Sequence, residues 1–95
     1  LQLDAGWSIF AGEDSPALIR AFQGRIPSIH LKQFKRSESG EPRTSELADG
    51  LIDWAPILAA ARDAGVAWHI VEQDDSQIDS LESAALNAAF MQGLA

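Results

Sequence analysis

The chain has no cysteine, few basic residues and no long apolar run, and each shortage removes a class of function. Without cysteine there are no disulfides, no thiolate metal sites and no cysteine nucleophile, a usage that fits a reducing, cytoplasmic setting. Seven Lys and Arg stand against fourteen Asp and Glu, a formal net charge of −7. Most of the surface therefore repels phosphate backbones and anionic lipid, and neither nucleic acid nor a membrane is an expected partner. No apolar stretch approaches the roughly 20 residues that cross a bilayer, and no glycine-rich phosphate cradle is present. What is there, 46% hydrophobic and 22% charged residues, has the profile of an ordinary globular chain. Its 95 residues suffice for one modest core but not for a complete large enzyme fold. The chain starts at Leu1 in what already reads as a strand, so we expect a piece of something longer.

Along the chain a short apolar stretch is followed by an amphipathic one three times over, the pattern of βα units on a parallel sheet. Leu1 to Asp4 reads as a strand end and Ala5 to Asp14 as a loop. Ser15 then serves as N-cap with Pro16 at the first helical position, in a helix that runs to about Gln23 and stops at Gly24. A second strand spans Ile26 to Leu31, entered through Pro27. Lys32 to Gly50 is mostly charged, Ser, Gly or Pro, which predicts a long loop. Asp53 caps a helix whose Trp54, Ile57, Leu58 and Ala61 form one buried stripe, ended by Gly65. The third strand, Val66 to Glu72, is apolar but for His69, as expected of a sheet covered by helices. Asp79 with Glu82 makes a capping-box-like start for a final helix with Leu81, Ala85, Leu86, Ala89 and Phe90 on its apolar face.

The three strands end in Asp4, His30 and Glu72, and ligands bind at the C-terminal strand ends of parallel βα architectures. Alternation puts Gln2 with Asp4, Ser28 with His30, and Trp68 and Ile70 with Glu72, so the terminal groups can point into one mouth. Two carboxylates and an imidazole suit manganese, magnesium, cobalt or zinc. Lys32 shares the parity of His30 and can either neutralise developing negative charge or simply sit in a salt bridge. His69 has the opposite parity and should face the helix layer or solvent; Trp54 and Trp68 read as packing residues, and Glu46 and Asp49 as part of a solvated acidic loop.

The stretches Leu3-Asp4-x-x-Trp7, Ile29-His30-Leu31-Lys32, Gly50-Leu51-Ile52-Asp53-Trp54 and Ile70-Val71-Glu72-Gln73-Asp74 resemble the C-terminal portion of the sugar phosphate isomerase/epimerase family, the xylose-isomerase-like (β/α)8 barrels. The resemblance implies three consecutive βα units of a TIM barrel, strands 6 to 8, forming one partial domain over residues 1–95. It implies that Asp4, His30 and Glu72 hold one divalent metal, manganese in the first place, with a fourth ligand from an earlier strand that has no counterpart here. The implied reaction is proton transfer on a sugar or sugar phosphate through an enediolate, with Glu72 as one acid/base; the second is absent along with the fourth ligand. Arg36, six residues after His30, matches an arginine that contacts substrate oxygens in epimerases of the family. Trp7 stands where one branch keeps a histidine and would offer an aromatic wall instead. Zinc-dependent apurinic endonucleases share the barrel, but the acidic charge and two histidines argue against that branch. The competing expectation is a non-catalytic, truncated or remnant protein. Three parallel strands leave two unpaired edges, through which such a chain would self-associate or pair with the missing part of a barrel.

Overall fold

A computed structural model describes residues 1–94. Its elements in chain order are β1 (Gln2–Asp4), α1 (Ala5–Phe10), α2 (Ser15–Ala21), β2 (Ser28–Leu31), β3 (Gln33–Arg36), β4 (Pro42–Ser45), α3 (Trp54–Asp63), β5 (Trp68–Val71) and α4 (Ser80–Leu94). The strands β1, β2 and β5 form a parallel sheet in that order, and β3 and β4 form a separate antiparallel hairpin. Among the described residues no helix is long and apolar enough to cross a membrane.

Register ties the sheet rows together. Gln2 lies opposite Ser28 and Ser28 opposite Trp68; in the next row Asp4 lies opposite His30 and His30 opposite Ile70. The Gln2 side-chain amide donates to the Ser28 hydroxyl at 2.9 Å, so these alternate residues do share one face. On the other face Ile29 and Leu31 are fully buried and join Ile19, Ile26, Trp54, Ile57, Ala60 and Ala61 in the core beneath α2 and α3. Side chains alternate across a strand, and here one face is packed while the other is open, leaving Trp68 70% and Ile70 40% exposed. Trp54 packs as expected; Trp68 does not, and His69 is exposed.

Four expectations are corrected. The segment Ala5 to Asp14 holds the short helix α1, because Asp4 accepts from the Trp7 amide at 2.9 Å and caps it. Asp14 rather than Ser15 caps α2, with Pro16 in its first turn; Ser15 is instead buried and donates its hydroxyl to the Ala5 carbonyl at 3.2 Å. The long loop contains the β3–β4 hairpin, turned at Ser37–Glu41 with Gly40 at φ +84°. Its inward side chains are largely polar but satisfied: buried Gln33 uses its amide to bridge the backbone at Phe34, Leu47 and Ile52. Asp53 and Gly65 bound α3 as anticipated.

The fourth correction concerns α4. Asp79 caps it, accepting from the Leu81 and Glu82 amides, but the buried residues are Ser83 and Asn87, while Leu81, Ala85, Leu86 and Ala89 are exposed. The reason is hydrogen bonding: Asn87 accepts from the Leu47 amide at 2.8 Å and donates to Gln73 at 3.1 Å. Ser83 donates to Glu46 at 2.7 Å. A buried backbone N–H needs a partner, and Asn87 supplies it.

The Ser83 hydroxyl, then the backbone amide of Glu46, with smaller help from Gln73 and Lys35, holds the Glu46 carboxyl below its usual range. A depressed carboxyl stabilises the fold fully above its unfolded value, 4.5, and loses that contribution as pH falls through the folded value. Denaturation of the native chain and of Glu46→Gln should therefore differ by a constant margin above pH 4.5, narrowing in more acid solution. A margin that widens there would contradict the assignment.

Candidate metal centre

Asp4, His30 and Glu72 come from three different strand ends, and one ligand atom from each lies within 4.8 Å of the others. The parallel register brings this about. Asp4 and His30 are direct partners, and the Glu72 amide extends the β2–β5 ladder by donating to the Leu31 carbonyl at 3.0 Å. His30 Nδ1 is 2.9 Å from Glu72 Oε1. Two donors about 2.1 Å from a common ion at right angles lie about 3 Å apart, the separation of the His30 and Glu72 atoms, while the 4.8 Å bound on the whole set is somewhat wider than the roughly 4.2 Å of opposite donors. All three side chains are partly buried, and the donor set is the mixed oxygen and nitrogen type that divalent transition metals accept.

Lys32 belongs to the same cluster. The residue is only 5% exposed, and its ammonium lies 3.3 Å from Glu72, 3.3 Å from Asp74 and 3.7 Å from Asp4. Burial alone pulls its pKa down, but Asp74, Glu72 and Asp4 together more than offset this, and the group ends above its ordinary value. A buried cation is retained only when paired in this way. The two oxygens of Asp4 divide the work: Oδ1 caps α1 and Oδ2 faces Lys32.

Trp7 stands beside this cluster, its ring face 5.6 Å from the Lys32 ammonium and its edge against Phe34 at 4.8 Å between centroids. Arg36 is elsewhere: it donates to the Gly40 carbonyl at 2.9 Å, across its own hairpin turn, and has no ion pair with the cluster. Glu46 is half-buried beneath α4 and Asp49 pairs with Lys35 at 2.7 Å. Sequence reasoning gave no role to Asp74 or to Phe34. The Glu72-x-Asp74 spacing just past a strand was the available signal for the first; the second sat in a segment read as loop.

No family model matches the chain. An inosose dehydratase of Lacticaseibacillus casei is 30% identical over 101 residues, which cover 88% of this chain and 34% of that protein. One from Clostridium perfringens is 25% identical with the same coverage. Among solved structures, a sugar phosphate isomerase/epimerase from Parabacteroides distasonis superimposes with a TM-score of 0.74 at 17% identity, covering 96% of this chain and 29% of that one. A second from the same organism gives 0.70 at 15% identity, covering 96% and 30%. The chain thus spans about a third of the length of the relatives it matches. Mixed α/β architecture and a partial parallel sheet agree with these superpositions: the chain shares its fold with part of the sugar phosphate isomerase/epimerases and is similar in sequence to a stretch of the inosose dehydratases.

Proposed function

We propose that this chain supplies the sixth to eighth βα units of a divalent-metal-dependent sugar isomerase or epimerase, with Asp4, His30 and Glu72 as metal ligands and Glu72 as one acid/base. The observation that carries the reading is the convergence of these side chains, from strand ends 26 and 42 residues apart, within 4.8 Å of one another. Asp4, His30 and Glu72 would hold a divalent ion, manganese first, which would supply Lewis-acid polarisation of a sugar carbonyl and so a more acidic neighbouring C–H. Glu72 is partly open to the mouth and is the carboxylate placed to take that proton. Lys32 sits 3.3 Å from Glu72, where a fixed cation offsets negative charge arising on substrate oxygen. A fourth ligand and an opposing acid/base would come from barrel strands beyond the three described here.

Metal content tests the site directly. The native chain should retain roughly one equivalent of manganese, and Asp4→Ala, His30→Ala and Glu72→Ala should each weaken retention by about tenfold or more. Unchanged content in all three variants eliminates the centre. Turnover requires the longer protein, and if that protein with added manganese interconverts no ketose, the enzymatic assignment fails.

A second reading rests on a separate observation, the 70% exposure of Trp68 and 40% exposure of Ile70 on the open sheet face. Exposed apolar residues beside an unpaired strand edge favour association, as in a non-catalytic remnant that pairs with itself. Sedimentation of the chain as a concentration-independent monomer would remove that reading.

A further inference from the structure

Beside the cluster lies an open groove of about 490 Å³ between α1 and the hairpin. Trp7 and Asp74 line it, and both also contact Lys32, so groove and cluster form one continuous surface. From the residues of this groove, and resting on the function proposed above, we propose that it receives an uncharged polyhydroxylated substrate, a free sugar or polyol, in preference to its phosphate ester.

Two features suit a neutral polyol. The Trp7 ring is 46% exposed and is braced by Phe34 and Phe10, which gives a rigid apolar platform for the C–H face of a sugar. Around it stand the Ser37 and Ser39 hydroxyls and the carboxylates of Glu41, Asp74 and Asp75. Ionised carboxylates only accept hydrogen bonds, and sugar hydroxyls donate them.

The same inventory is poor for a phosphate dianion, which needs an uncommitted guanidinium, an ammonium or a nest of backbone N–H groups. On the groove wall Arg43 is ion-paired with Asp75, its Nε donating to Asp75 Oδ2 at 3.0 Å and its Nη2 to the same oxygen. Lys32 is held by Asp4, Glu72 and Asp74. Lys35, directly across the ladder from Arg43, is held by Asp49, and Arg36 is turned to the Gly40 carbonyl. Two backbone amides beside the groove are also engaged, because buried Thr44 accepts from the Asp74 and Asp75 amides at 2.9 Å each. Glu41 has no ion pair among the described residues. Five carboxylates, Asp4, Glu41, Glu72, Asp74 and Asp75, thus surround two cations, Lys32 and Arg43. A divalent ion at the strand ends would still leave this surface net negative.

The test follows the Trp7 indole N–H of the 15N-labelled chain, assigned through Trp7→Phe, during titration with D-fructose and with D-fructose 6-phosphate in magnesium. Fructose should shift that signal with an apparent Kd at least about tenfold below that of the phosphate ester. Asp75→Asn, which frees Arg43, should shrink or invert the ratio. A phosphate ester that binds more tightly than fructose in the native chain, no shift of Trp7 with either ligand, or a ratio unmoved by Asp75→Asn would each overturn the proposal. Failure of the metal reading is separable. If Asp4→Ala, His30→Ala and Glu72→Ala all left metal content unchanged, the centre would be eliminated while a fructose preference at Trp7 stood. Retained metal with no fructose preference sinks only the groove.

Discussion

Gln33→Leu is expected to remove much of the chain's folding stability. The Gln33 amide nitrogen donates to the Leu47 and Ile52 carbonyls at 2.9 Å each, and its oxygen accepts from the Phe34 amide at 3.0 Å and the Ile52 amide at 2.9 Å. Leucine fills a similar volume and offers nothing to those backbone groups. Each stranded buried group costs about 1–3 kcal/mol; the Leu47 carbonyl and Phe34 amide are buried and the two Ile52 groups part-buried, so the loss should reach about 3 kcal/mol or more, against a total stability of about 5–15 kcal/mol for an ordinary domain. Thermal unfolding followed by circular dichroism should move down by roughly 15 °C or more. A loss below about 1 kcal/mol in urea titration would mean that water satisfies these groups and that the side chain is no structural bridge.

Gly6→Ala should be nearly as damaging and should reach the cluster as well. A Cβ at this position would stand 2.1 Å from the Lys32 carbonyl oxygen and 2.8 Å from the Lys32 Cβ, so backbone as well as side chain must yield. Packed interiors do not absorb such overlap locally, and overpacking costs about 1–3 kcal/mol or more. Here the displaced partner is the strand end that carries the Lys32 ammonium between Glu72 and Asp74. The expected result is a fall in stability of about 3 kcal/mol together with loss of manganese retention. Gly93→Ala, with nothing within 4 Å of the added Cβ, should change neither. Native stability in the Gly6 variant would show that α1 can retreat from β2 without strain.

The parts legible in the sequence were those governed by periodicity. Parity along β1, β2 and β5 placed Asp4, His30 and Glu72 on a common side because strand side chains alternate without exception over such short runs. The stripe at Trp54, Ile57 and Ala61 was readable because α3 packs on one side only. The hairpin was not readable, since of its buried positions Gln33, Phe34, Thr44 and Ser45 only Phe34 is apolar. Burial there is satisfied by hydrogen bonds and leaves no apolar alternation to see. For α4, sequence hydrophobicity pointed to Leu81 and Leu86, yet Ser83 and Asn87 face inward, because the partners that fix this helix are polar atoms of Glu46, Leu47 and Gln73. Short α1 escaped notice for another reason: its cap is Asp4, a residue already assigned to a strand end.

In the proposed centre, that shared aspartate would tie ion capture to helix initiation. One carboxylate starts α1 with Oδ1 and turns Oδ2 toward the cluster, so deleting the side chain is a double lesion that unravels a turn and strips a donor at once. Asparagine keeps an oxygen for the turn while surrendering the charge, and the gap between the two replacements measures how far occupancy of the mouth is coupled to the birth of its neighbouring helix.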